Sequence, residues 1–125
     1  MKRPLTDTLE LSKEEMLHYG HTLMEAIVNH FETQSQKPPV AQATRKEMDN
    51  LFQEDAPEQA SNPMEVLNFV LENVMTKSNI VSHPKSFSFV PGPSNFISAM
   101  GDALASGFNI FSGGWAASPA AAELE

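Results

Sequence analysis

Along the first half of the chain, apolar residues recur three and four positions apart. Met16, Leu23, Ile27 and Phe31 fall on one stripe, with Leu17, Met24 and Val28 beside it. That is the pattern of an amphipathic helix of about five turns. Its start is written into "LSKEEM", where Ser12 and Glu15 have capping-box spacing and Leu11 pairs with Met16 as a hydrophobic staple. "TQSQKPPVAQ" reads as a linker, because Pro38-Pro39 cannot lie inside a helix. A short helix is predicted from Thr44 to Gln53, followed by the loop "EDAPEQASNP". Asn62 then caps a third helix, with Pro63 at its first position and Glu65 completing a box. Val66, Val70 and Val74 share a face of that helix with Leu67 and Leu71.

The period changes after Ser82. "SHPKSFSFVPGP" alternates Phe87 and Phe89 before two prolines, which predicts an extended segment ending in a rigid loop. Ser94 is placed to cap a helix through Gly107, with Phe96, Met100, Ala103 and Leu104 on one side. Gly107 to Ala117 reads as an irregular connection. Ser118-Pro119 opens a last helix, and "AAAELE" continues it for about two turns until the sequence stops. A helix begun without a C-terminal signal reads as the front end of a longer protein. The expected fold is mainly α, with about four to five helices joined by extended connections.

Charge sharpens this division. The formal net charge is −8 and the pI about 4.9, which argues against a nucleic-acid-binding surface. Between His83 and Ala122 the charged residues are Lys85 and Asp102 alone, yet six of the ten aromatics lie there. Burying one large apolar side chain is worth roughly 1.5–3 kcal/mol, so these six rival the stability of a whole domain. The two amphipathic stripes are too narrow to cover both themselves and this segment. A partner surface is therefore expected. The chain has no cysteine, so disulfides and thiolate metal sites are excluded, and a reducing cytoplasm fits. The N-terminal "MKRPLTDTLEL" lacks the apolar core of a secretory signal. The uncharged run from Ala103 to Ala122 is broken by Asn109, Ser112-Gly113-Gly114 and Pro119, which argues against a membrane span.

Three local arrangements carry possible chemistry. His18 and His21 stand three apart on the first helix, but no third ligand has suitable local spacing, so solvated helix surface is the better reading. His83, Asp102 and Ser118 supply the residue types of a hydrolytic triad, yet Ser118 lacks a G-x-S-x-G elbow and is explained as an N-cap. "SGGW" has two glycines without the spacing of a phosphate cradle, so tight packing or close ligand approach explains them more simply.

From Ser82 onward the sequence resembles the pyridoxal-phosphate-dependent group II amino-acid decarboxylases, the family of the aromatic-amino-acid and tryptophan decarboxylases. "HPKSFSFVPGPSNF" is similar to the family's H-P-x-F-x-F-x-P-x-P/S-S stretch, and "GDALASGFN" to its A-D-x-L-x-x-x-x-N/G segment. "WAASPAAAELE" resembles W-x-A-S-P-x-x-x-E-L-E, and the intervals between the three agree without gaps. "LSKEEMLHYGHTLMEAIVNHFE" looks like the family's first helix, a less specific match.

The resemblance implies a homodimeric fold-type-I α/β enzyme whose large cofactor domain is absent from this chain. Residues 1–82 would be an N-terminal helical dimerisation segment. Residues 83–125 would hold a substrate-pocket loop, the apolar helix and the start of the large domain. Phe89-Val90-Pro91-Gly92 stands where aromatic decarboxylases carry a Tyr-Phe-Pro-Thr pocket loop. Phe111 and Gly113 align with an isoleucine and a phenylalanine contributed from the other subunit. These six are the implied substrate-binding residues, and their departures leave the amino acid open; glycine could equally satisfy a turn at either place. In the family, pyridoxal phosphate is held by a Schiff-base lysine usually preceded by histidine, and acts as an electron sink while an α-carboxylate leaves as carbon dioxide. Those groups lie beyond the aligned region. The resemblance thus implies no catalytic, cofactor-binding or metal residue in this chain, which alone is expected to be inactive. A standalone helical interaction module, binding a partner through Phe87 to Trp115, is the competing reading.

Overall fold

The computed structural model describes residues 10–87 and 92–124. Among them every regular element is helical, and no strand occurs. They divide into two compact units, Met1–Gly92 and Pro93–Glu125.

In the first unit, helix α1 spans Lys13–Thr33 and begins as its sequence predicts. The Ser12 side chain accepts from the Glu15 N–H at 3.2 Å, while the Ser12 N–H donates to Glu15 Oε2 at 2.9 Å. Two orphan donors of the first turn are thereby satisfied. The helix runs two residues past Phe31 and tightens into a 3₁₀ turn over Gln34–Gln36. Lys37, held extended (φ −96°, ψ 161°) ahead of Pro38, ends it. None of its residues is buried: Met16, Leu17, Leu23, Met24 and Val28 are all exposed. Helix α2, Arg45–Phe52, repeats the capping-box device with Thr44 and Glu47. Helix α3, Pro63–Phe69, is capped by Asn62, whose Oδ1 accepts from the Met64 N–H at 2.8 Å rather than forming a box with Glu65.

Past Phe69 the ladder departs from expectation. Val70–Val74 forms a π turn, and a 3₁₀ turn over Met75–Lys77 follows. The Asn73 amide, the Thr76 hydroxyl and the Ser78 hydroxyl donate to the carbonyls of Phe69, Glu72 and Val74. Such back-bonding competes for carbonyls near the end of the helix and accompanies the change of ladder. Leu67 is buried and Val70, Leu71 and Val74 are half-buried, as the expected apolar face requires, while Val66, on α3 ahead of the π turn, is exposed. Phe52 of α2 meets Phe69 of α3 edge-on, with ring centroids 5.9 Å apart.

The second unit contains α4, Phe96–Phe108, and α5, Pro119–Leu124. Asn95, not Ser94, caps α4: its Oδ1 accepts from the Ser98 N–H at 2.9 Å and its amide donates to the Ser98 hydroxyl. Asn109 closes the helix in the left-handed region (φ 45°), a conformation asparagine tolerates better than most residues. Residues 109–118 are irregular until the Ser118 carbonyl accepts the first bond of α5 from the Ala122 N–H.

Candidate functional site

Of the six implied pocket residues, Phe89, Val90 and Pro91 lie outside the described residues. The approach to them is described. Ile80 donates its N–H to the Pro39 carbonyl, the Ala41 N–H donates to Asn79 Oδ1, and the Ser82 hydroxyl donates to Gln34 Oε1. His83, 5% exposed, then turns the chain. Its carbonyl accepts from the Ser86 N–H and its Nδ1 from the Lys85 N–H, both at 2.9 Å. His83, whose residue type suggested a hydrolytic triad, thus serves here as a buried acceptor, a role that no spacing in the sequence announces. Phe87 follows fully exposed, in no strand. Gly92 is exposed, and an added Cβ there would meet nothing within 4 Å.

The other two implied residues are brought together. The Phe111 ring lies over Gly113: a Cβ built there would stand 2.6 Å from Phe111 Cζ and 2.9 Å from Cε2. No described glycine has a positive φ, so Gly113 is needed for space rather than for backbone freedom. The Gly114 carbonyl accepts from the N–H groups of both Ala117 and Ser118, making the turn that leads into α5. Trp115, on that turn, donates its indole N–H to Glu123 Oε1 at 2.9 Å. Phe111 and Trp115 remain largely exposed, as do Leu104 and Phe108 of α4.

Charge chemistry is sparse. The backbone and hydroxyl hydrogen bonds from Thr44 hold the Glu47 carboxyl below the usual carboxylate range, as befits a cap. Arg45 and Asp49 form an exposed ion pair at 2.9 Å, of a kind worth little. His18 and His21 are exposed, and no group of three or more metal-ligating side chains occurs among the described residues. Within the described residues no helix is long and apolar enough to cross a membrane. Lys13, Lys37, Lys46, Lys77 and Lys85 are all exposed.

No protein-family model matches the chain. Over 121 residues it is 36% identical to an aromatic-L-amino-acid decarboxylase of Bacillus atrophaeus, covering 97% of this chain and 25% of that protein. Its fold is similar to that of Catharanthus roseus tryptophan decarboxylase in complex with L-tryptophan, with a TM-score of 0.77 and 20% identity over 92% of this chain and 25% of the other. Oryza sativa TDC with PLP and tryptamine gives a TM-score of 0.75 at 23% identity, covering 92% of this chain and 24% of that one. The chain spans about a quarter of the length of the proteins it matches.

Proposed function

From a chain related to the pyridoxal-phosphate-dependent group II amino-acid decarboxylases over about a quarter of their length, we propose that the intact protein is a carboxy-lyase releasing carbon dioxide from an aromatic L-amino acid. The observation carrying this reading is the near-complete alignment with a bacterial aromatic-amino-acid decarboxylase. In the proposal, residues 1–82 give dimer contacts through the apolar stripe of α1, where Met16, Leu17, Leu23, Met24 and Val28 are exposed. Residues 83–125 contribute Phe89, Val90, Pro91, Gly92, Phe111 and Gly113 to the wall around the substrate side chain. An apolar wall with few polar groups suits an aromatic ring, and the exposed Phe111 ring over a side-chain-free Gly113 supports it. Pyridoxal phosphate would be held by residues other than those described. A cytoplasmic homodimer completes the reading.

The test is carbon dioxide release by the intact polypeptide supplied with pyridoxal phosphate, offered L-tryptophan, L-tyrosine, L-phenylalanine and L-glutamate in turn. Release from at least one aromatic substrate, well above that from glutamate, is expected. Glutamate preference would overturn the aromatic reading. Inertness towards all four would favour the standalone module, for which the exposed Phe108, Phe111 and Trp115 of the second unit offer a binding surface.

A further inference from the structure

One element of the second unit has no part in the function as stated. Trp115 and Glu123 stand eight residues apart, one on the turn after Gly114 and the other in α5, and the indole N–H donates to the carboxylate at 2.9 Å. Phe111 and Trp115 are 67% and 63% exposed, so burial within the unit does little to fix either ring. What holds this stretch is directional: two N–H bonds to the Gly114 carbonyl and the indole–carboxylate bond. An indole N–H can only donate and a carboxylate can only accept, so the pair admits one polarity. The acceptor charge strengthens it. Trp115 follows directly on Gly113-Gly114, the backbone over which the Phe111 ring lies.

We propose that Trp115 and Glu123 form a positioning clasp that fixes the Gly113-Gly114 backbone beneath Phe111, and so sets how much room the aromatic pocket leaves for the substrate ring. The role rests on the decarboxylase reading above, since it concerns the width of that pocket. Neither residue touches the reacting atoms; both act through Phe111.

The Trp115 indole N–H is read by NMR in the intact protein, as the indole signal that Trp115→Phe removes. Glu123→Leu removes the acceptor and should move that signal and speed its exchange with water, whereas Glu123→Gln, which keeps an acceptor oxygen, should leave it close to wild type. In the intact enzyme, Trp115→Phe and Glu123→Leu should each change the tryptophan-to-phenylalanine ratio of kcat/KM by about three- to tenfold, the span of one modest hydrogen bond. The change should fall on KM, with kcat held, and Glu123→Gln should restore the ratio. An indole signal indifferent to Glu123→Leu would overturn the clasp. A signal that moves while the ratio stays fixed would overturn the positioning role. An intact wild-type protein inert to every aromatic amino acid would sink that role together with the functional reading, and it would be told apart from a failed clasp by an indole signal that still responds to Glu123.

Discussion

Gly113 is short of space, not of backbone freedom. Its φ is unexceptional, but the first carbon of any side chain would run into the far edge of the Phe111 ring. Phe111 is largely exposed, so the ring can swing aside. A substitution at Gly113 should therefore act on the pocket more than on stability. In the intact enzyme, Gly113→Phe is expected to depress turnover of tryptophan more than of phenylalanine. Overpacking by one aromatic group costs about 1–3 kcal/mol, which corresponds to roughly 10–200-fold in relative kcat/KM. Steady-state kinetics on the two substrates measures it, and equal losses on both would indicate a folding defect instead. Tight packing or close ligand approach is what "SGGW" suggests for its glycines, and the structure shows tight packing at Gly113 and ordinary contact at Gly114. That Phe111 is the approaching group was not legible there, because it depends on how one turn folds back.

At the scale of single elements, the caps were the most legible features, since each is settled within four residues. Ser12 with Glu15 forms the box that its spacing predicts and Thr44 with Glu47 repeats it, whereas Asn62 caps α3 without the box expected with Glu65. Where neighbours compete, spacing stops being decisive: Ser94 and Asn95 both suit a cap, and Asn95 takes it because its amide also binds the Ser98 hydroxyl. The π turn after Phe69 was illegible because a valine repeat looks the same whichever carbonyls the ladder uses. The Thr44–Glu47 box also has a pH signature. The Thr44 backbone N–H, then its hydroxyl, bind the ionised form of Glu47 and lower its pKa in the folded helix. A carboxyl depressed on folding adds stability above its unfolded pKa and loses it as pH falls through the folded value. The first turn of α2 should therefore fray on acidification. A carboxyl-detected NMR titration should give Glu47 a midpoint below that of a glutamate in an unstructured peptide. Thr44→Ala should raise it, and an unchanged midpoint would show that the box does not form in solution.

For the molecule as a whole, the main fact is how little apolar surface is buried. Among the described residues Leu67 is the one buried apolar side chain, while each unit leaves large apolar side chains exposed. Exposed patches of that extent mark contact surfaces or aggregation hazards. The isolated chain should therefore self-associate or melt without a sharp transition. Light scattering showing a stable monomer with a cooperative melt would contradict this. That exposure was legible in outline, since the aromatic-rich, charge-poor second half needs more cover than two narrow stripes supply. One tether in the first unit has a different consequence. The bond from the Ala41 N–H to Asn79 joins residues 38 apart, and Ile80 with Pro39 and Ser82 with Gln34 fasten the same two stretches. In polymer terms these bonds close a ring, and the entropy of closing a ring rises only with the logarithm of its length, by about 0.6 kcal/mol per doubling. The chain between the fastened ends, and above all the loop before Asn62, is thus free to lengthen or shorten over evolutionary time while its two anchors stay where they are.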